Sequence, residues 1–521
     1  MSDNNQVWFL TGTSSNFGIT LTRALLKAGH RVVATARTPS KLPFVTGDRL
    51  LVLRLDVNDV PSISQAFDEA KKRFGRIDVL VNKAGSNMLV ELEGHSEIHA
   101  RDMFGTQFWG PAHVQKKATA IIEAQRSQGL IFNVTTVMAV FAAPLSTIMC
   151  ASKAASESLS ISRASSSPFV TAVNVRPGGF EDQPVAVIGE QLPSYAAKDL
   201  GRTVAATIRS YANKPPPGIG NVRKMAETLI ALAKLPRDKL PIRAVVLGSD
   251  VSSITRAVAT KRVAHIKHGQ HLLSQVQRSG PRFKEARVWF VANANSTLGQ
   301  NLVQVLLASG QRVAVALPSD GTLSPLASHD QLLVVHSPRV NVDALGTVLN
   351  SVAEHFGRVD VILNAPSDRQ ESQQDDWETA YAIAERVFWS PMNTMSVALK
   401  VLRERNPPGA GGRIFNILTT VSTEDSSVAV HNALNAAVNI GTAALARELP
   451  GRWNIGVAAV TLDSDLHADP ETARTLIALA ELSQSDLRAR SLLERALWRA
   501  LSARHRLNCP TLARSKQCCA R

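Results

Sequence analysis

Cysteine and tyrosine are scarce in this chain, with four and three copies among 521 residues. Cys509, Cys518 and Cys519 crowd the C-terminal end and Cys150 stands alone, so no disulfide framework is read and a reducing, cytoplasmic setting is expected. No apolar run approaches the roughly 18–20 residues needed to span a bilayer, so no membrane span is expected. The first apolar run begins at Val7, so no signal or transit peptide is expected. Acidic residues are the minority charge: 43 Asp and Glu against 58 Lys and Arg give a net charge of +15. Much of the excess lies in 256–287 and 488–521. No aromatic interleaving or zinc-type spacing accompanies it, so specific nucleic-acid readout is not expected, and a solvated helix face with a basic tail is the simpler reading. The terminal CCAR puts Cys518 at a prenylation position, but Arg521 is a poor last residue for that signal. No metal site is read.

What the chain does have is a duplication. VWFLTGTSSNFGITLTRALLKAGHRVVATAR (7–37) returns with drift as VWFVANANSTLGQNLVQVLLASGQRVAVALP (288–318). GRIDVLVNKAG (75–85) returns as GRVDVILNAPS (357–367), and IFNVTTV (131–137) as IFNILTTV (414–421). The spacing runs only from 281 (Val7 to Val288) to 284 (Val137 to Val421), far beyond a solenoid period, so each copy is a whole domain.

Within the first copy, short apolar runs alternate with amphipathic stretches. Strands are predicted at 7–10, 31–37, 50–57, 77–85, 130–136 and 169–177, with helices at 19–28, 60–74, 97–126 and 150–164 between them. Strand–helix alternation with short connections is the pattern of a parallel sheet covered on both faces. The fold class is therefore α/β, with two tandem Rossmann-type doubly wound parallel-sheet domains. The expected boundaries are a first domain at 1–276, a linker at 277–286, a second, degenerate domain at 287–465, and a helical basic tail at 466–521. The first domain includes an aperiodic 180–218, where substrate loops and a lid are expected, a helix at 225–235, a last strand at 241–250 and a basic helix at 252–276.

TGTSSNFG (11–18) joins a strand to a helix, where a tight turn can present backbone N–H groups and the helix N-terminus to a pyrophosphate. Here the chain resembles the short-chain dehydrogenase/reductase family over all of 7–250. The family's TGxxxGxG appears as Thr11-Gly12, Asn16 and Gly18, with Asn16 replacing the middle glycine. Its acidic residue before the adenine site appears as Asp56-Val57, its NNAG as Asn82-Lys83-Ala84-Gly85, and its PG turn as Pro177-Gly178-Gly179. LGSD (247–250) resembles the end of many members. The resemblance implies a dinucleotide held by Thr11, Gly12, Ser14, Ser15, Asn16, Phe17, Gly18, Arg37, Asp56, Val57, Asn82, Ala84, Gly85, Lys153, Pro177 and Gly178. The second strand ends in Ala36-Arg37 with no carboxylate. A carboxylate there would bind the ribose 2′-OH of NAD, whereas a cation favours the 2′-phosphate, so NADP(H) is favoured over NAD(H). The side chain of Asn16 is expected to crowd the phosphates, although Asn tolerates a left-handed backbone and the turn is expected to survive.

The resemblance also implies a tyrosine acid/base, a lysine four residues later, a serine at the substrate carbonyl and an asparagine that anchors a water. MCASK (149–153), aligned with YxASK, puts Met149 at the tyrosine and keeps Lys153. Thr136 falls at the serine, and FGTQFWGP (104–111) puts Gln107 at the asparagine. Thr136 keeps a hydroxyl, and Gln107, one methylene longer, is expected to move the water. Met149 donates no proton, and assistance of that kind contributes about 10²–10⁴-fold. Tyr195, Tyr211 and Tyr381 offer no rescue, since none has a lysine four residues on.

The second copy departs further. ANANSTLG (292–299) retains only Gly299, NKAG becomes Asn364-Ala365-Pro366-Ser367, and HNALN (431–435) puts His431 and Asn435 at the tyrosine and lysine. Thr420 matches the serine and Val387 replaces the asparagine. The family pairs the helices matching 97–126 and 150–164 with those of a partner. The segments at 372–405 and 432–449 are therefore expected to stand in for the partner, as an intramolecular pseudo-dimer. Three readings stay open: a cofactor-binding but catalytically impaired member with a sensor or partner role, an NADP(H)-dependent oxidoreductase on a small carbonyl or alcohol, and a cofactor-free interaction module.

Overall fold

The structure, a computed structural model, describes residues 5–86, 88–178, 187–190, 192–195, 220–241, 244–247, 285–317, 323, 329–336, 342–367, 376–420, 426–463 and 470–480. Most of the expected 180–218 region, the basic helix at 252–276, nearly all of the linker, Gly179 and the tail beyond 480 lie outside them.

The first copy carries β1 (Val7–Leu10), α1 (Asn16–Lys27), β2 (Arg31–Ala36), β3 (Leu50–Arg54), α2 (Val60–Phe74) and β4 (Val79–Asn82). It continues through α3 (Glu97–Phe104), α4 (Gly110–Ala124), β5 (Gly129–Val134), α5 (Thr147–Ser165), β6 (Val170–Pro177), α6 (Val222–Ala233) and β7 (Ala244–Leu247). Its seven strands run in the order β3-β2-β1-β4-β5-β6-β7, all parallel. The order reverses beside β1, and the loops after β1 and β4 open there, where such sheets bind ligands.

Side-chain alternation on the central strand shows why both faces are covered. Trp8 and Leu10 enter one core with Leu21, Leu25 and Leu229, while Val7 and Phe9 enter another with Phe67, Val114 and Ile121. Each such buried side chain contributes about 1.5–3 kcal/mol, so the strand has no free face to expose. Ser15 caps α1 by accepting from the Gly18 N–H (3.1 Å), and α2 ends where Gly75 turns left-handed at φ 74°. The repeated GRID block is a structural device: Asp78 accepts from the Val7 N–H (2.8 Å) and from Arg76 Nε (2.8 Å), which pins the start of β1.

The second copy repeats the plan with β8 (Val288–Ala292), α7 (Thr297–Ala308), β9 (Arg312–Leu317), β10 (Leu332–His336), α8 (Val342–Phe356) and β11 (Val361–Asn364). Then follow α9 (Trp377–Ala384), α10 (Ser390–Glu404), β12 (Gly412–Thr420), α11 (Ser426–Glu448), β13 (Ile455–Asp463) and α12 (Pro470–Leu479). Six parallel strands run β10-β9-β8-β11-β12-β13. Ala473, Leu476, Ile477 and Leu479 of α12 belong to the core of this sheet, so 470–480 is part of the domain rather than of a tail.

By internal contacts the chain divides into two compact units, one of 1–258 with 424–444 and one of the remainder. Inside the first unit a small apolar cluster joins Ala142, Ala143, Cys150 and Ala154 to Ile440, Ala443 and Ala444. Among the described residues no helix is long and apolar enough to cross a membrane.

Candidate functional site

The turn after β1 is held from beneath by Thr11. Its Oγ1 accepts from the backbone N–H groups of Lys83 (2.9 Å) and Ala84 (3.1 Å), tying the end of β1 to the end of β4. Gly12 adopts φ 67°, and a Cβ there would lie 2.9 Å from the Ala84 Cα, so both the conformation and the close approach require glycine. Gly18 is retained for another reason, since a Cβ there would meet the Thr13 Cα at 2.6 Å. Asn16 is the first residue of α1 and does not have positive φ. The turn therefore survives because its left-handed position is Gly12, not because Asn16 tolerates that region.

These loops bound a groove of about 270 Å³. It brings together Gly12, Ser14, Ser15, Arg37, Asp56, Val57, Ala84 and Gly85 of the residues expected from sequence, and adds Lys83, Ser86, Asp102 and Thr106. Arg37 is exposed at the end of β2. Asp56 accepts from the Asn58 N–H (3.0 Å), and Asn58 Nδ2 donates to Asp102 (3.3 Å) and Thr106 (3.0 Å), so the far wall is braced through one asparagine.

Other expected residues lie off the groove. Asn82 is buried and donates to the Pro111 carbonyl (3.1 Å), joining β4 to α4. Phe17, on the first turn of α1, packs on the core, and Pro177 closes β6, its carbonyl accepting from the Val137 N–H (3.3 Å).

Of the four residues that the resemblance implies for catalysis, two are tied to residues of the groove, Gln107 through Ser86 and Lys153 beside Gly85. Gln107 is fully buried in a π-helical turn (Gly105–Trp109) between α3 and α4, a device common at functional sites. Its Nε2 donates to the Ser86 carbonyl and its Oε1 accepts from Ser152 Oγ (2.9 Å). The longer side chain thus spans from the NKAG loop to α5. Met149 and Lys153 lie four apart on α5, one above the other. Both are buried, and Thr136 Oγ1, before α5, accepts from the Met138 N–H (3.3 Å). Lys153 Nζ donates to the Val134 carbonyl (3.3 Å) and lies 3.6 Å from where a Gly85 Cβ would stand, at the mouth of the groove.

Burial, with the nearby Lys83 charge adding to it and Glu157 opposing, lowers Lys153 to about 8. Burial alone lowers Lys83 to about 8. Glu157 is committed elsewhere: it holds Arg176 at 2.5 Å and accepts from Thr135 Oγ1 (2.5 Å). Lys83 was written in the sequence as the one departure from NNAG, and that departure was the signal for it.

In the second copy Asn293 occupies the place of Gly12, at φ 55°, and its Nδ2 donates to the Ala365 carbonyl (2.8 Å). A side chain now fills the approach that glycine leaves open. The π-helical turn persists at Glu385–Trp389 with Val387 in it, and Asn435 is buried. The Thr420 side chain lies outside the described residues.

The short chain dehydrogenase family profile matches residues 6–191. An uncharacterized oxidoreductase of Schizosaccharomyces pombe, C162.03, is 30% identical over 298 residues, 56% of this chain and 96% of that protein. The oxidoreductase calM of Penicillium decumbens is 36% identical over 158 residues, 29% of this chain, which spans about half (52%) of that relative. Among solved structures, the NADP-bound N-domain of a bacterial malonyl-CoA reductase has the same fold. It matches with a TM-score of 0.69 over 93% of this chain and 96% of its own, at 16% identity. The chain belongs to the short-chain dehydrogenase/reductase family, with the Rossmann-type domain written twice.

Proposed function

We propose that the first copy binds a nicotinamide dinucleotide, NADP(H) in preference to NAD(H), and that its carbonyl–alcohol chemistry is impaired by Met149, leaving a sensor or partner role. The observation that carries this is the groove itself. It joins a glycine cradle to an exposed Arg37 where an NAD-selective site would place a carboxylate. Gly12 and Ser15 would hold phosphate, Arg37 the 2′-phosphate, Asp56 the adenine and Lys153 the nicotinamide ribose. Once bound, such a cofactor supplies or accepts hydride. The protein's remaining task is to hold a carbonyl at Thr136 and to deliver a proton, and Met149 has none to give.

A second reading, a working reductase, draws support from Lys153, which is buried beside the groove at about 8 and so can lend a proton near neutral pH. The apolar cluster formed with 440–444 supports a pseudo-dimer in which the second copy serves contacts rather than chemistry. Domain limits follow the two copies, and a cytoplasmic setting fits a buried Cys150 that forms no disulfide. The test is titration of the full chain with NADPH and NADH by nicotinamide fluorescence. Tight NADPH binding that weakens in Arg37→Ala is expected. Binding of neither cofactor would leave only the interaction module.

A further inference from the structure

Lys83 is unaccounted for by the family's chemistry. Its backbone is fixed by Thr11 and its side chain lines the groove between the Gly12–Ser15 turn and Lys153. No described hydrogen bond or ion pair engages its ammonium. The groups facing it can be counted by element. Arg37 from the end of β2 and Lys153 from α5 are cations. Asp56 after β3 and Asp102 on α3 are carboxylates already accepting hydrogen bonds from Asn58. Glu157 on α5 is held by Arg176 of β6. The positive N-terminal end of α1, twelve residues long and capped by Ser15, opens toward the same space. Arg37, Lys83 and Lys153 therefore outnumber the two carboxylates, Asp56 and Asp102, around this space, and no described ion pair joins either carboxylate to Lys83, which leaves a net positive place for an anion.

We propose that Lys83 is a phosphate ligand: its ammonium engages the pyrophosphate of the bound dinucleotide, so that binding is coupled to proton uptake. The inference rests on the dinucleotide reading for the identity of the anion, though not for the existence of the site. Burial holds both lysines at about 8, and an anion raises them toward their ordinary value. Below about pH 7 both are already charged and no uptake accompanies binding. Between about pH 7 and 9 the free protein loses these protons and binding must restore them. Affinity then falls about tenfold from Lys83 alone, and up to about a hundredfold if Lys153 responds as well.

The experiment is calorimetric titration of the full chain with NADPH, and separately with inorganic pyrophosphate, near pH 8.5 in two buffers of different ionisation enthalpy. The wild type is compared with Lys83→Asn, which restores the family's residue, and with Lys83→Arg, which keeps a charge that does not titrate. Expected are proton uptake in the wild type, a loss of about tenfold or more in Lys83→Asn, and retained binding with less uptake in Lys83→Arg. If NADPH binds the wild type and Lys83→Asn equally, with equal uptake, this inference is overturned and the cofactor reading stands. If pyrophosphate binds through Lys83 and NADPH does not bind, the anion site stands and the cofactor reading falls. Binding of neither overturns both.

Discussion

Restoring the phenol by Met149→Tyr tests whether the site is one group short or broken more widely. On α5 the new ring would sit one turn before Lys153, about 5–6 Å away between Cβ atoms. With the head groups about 5.5 Å apart, a charged ammonium stabilises a phenolate by roughly 3 kcal/mol at an effective dielectric constant of about 20, or about two pKa units. Because Lys153 itself sits at about 8, the pair shares this stabilisation, which raises the lysine as it lowers the phenol. Burial works the other way, since Met149 is only 6% exposed. The phenol should therefore titrate below its ordinary value of about 10 by between one and two units. The tyrosinate absorbance, with the wild type subtracted to remove Tyr195, Tyr211 and Tyr381, reads this without any substrate. The same measurement in a Lys153→Met background should return the phenol to 10 or above. Turnover with NADPH across a panel of small carbonyls should then rise by about 10²–10⁴-fold, the usual contribution of a positioned acid. A phenol at or above 10 that is unmoved by Lys153→Met would refute the placement of that ammonium. A lowered phenol without gain in turnover would place the defect elsewhere, with Gln107 first in line because it is tied to both Ser86 and Ser152.

Gly12→Ala should destabilise the first domain by about 1–3 kcal/mol, through a left-handed residue and a 2.9 Å contact with Ala84, seen as a lower urea midpoint together with lost NADPH binding. Glu157→Gln breaks a mostly buried pair with Arg176 and should cost about 3 kcal/mol, measured by thermal unfolding. It also removes the one charge that raises Lys153, so that lysine should titrate lower still. Stability should depend on pH through the two groove lysines. Each is held at about 8 in the fold against 10.5 in the unfolded chain, so the unfolded chain binds more protons between those values. Stability then rises with pH from about 8 to about 10.5, and the full penalty is present below about 8. Lys153→Met should flatten that rise and stabilise the ligand-free protein at pH 7 by up to about 3 kcal/mol. A denaturation series that is flat in the wild type over this range would count against the burial of both ammoniums.

The sheet topology was legible because buried parallel strands leave continuous apolar runs, and because the chain prints them twice. The cradle at Gly12 was legible for a similar reason, since few residues besides glycine serve at positive φ. Less legible was anything that depends on which way a side chain leaves its element. Asn82 belongs to the motif, yet it points to the Pro111 carbonyl and braces β4 against α4. Nothing in NKAG as a string says that Lys83 lines the groove without an ion-pair partner among the described residues, because its burial is set by segments dozens of residues away. The helix 470–479 reads as part of a polar, basic end of the chain, and only its packing on the second sheet shows it to be core.

Comparison of the two copies separates residues kept for folding from residues kept for a ligand. Asp78 and Asp360 pin β1 and β8 through the same N–H contact, at 2.8 and 2.9 Å. Ser15 and Ser296 cap α1 and α7 alike, and Gly18 and Gly299 both sit where a Cβ would strike backbone, at 2.6 and 2.4 Å. None of these needs a cofactor, and all are present in both copies. Gly12 differs: its successor Asn293 keeps the left-handed turn but sends a side chain onto the Ala365 carbonyl, so the fold is preserved while the approach is closed. Lys153 becomes Asn435 and Gln107 becomes Val387 with the helices that carry them intact. The first copy retains Gly12 and Lys153 where the second has replaced both. Folding accounts for Gly12 in part, since a Cβ there would strike Ala84, but not for Lys153, a buried cation whose helix the second copy builds with Asn435 in its place. A ligand in the first groove does account for it, whether or not any turnover remains beside Met149.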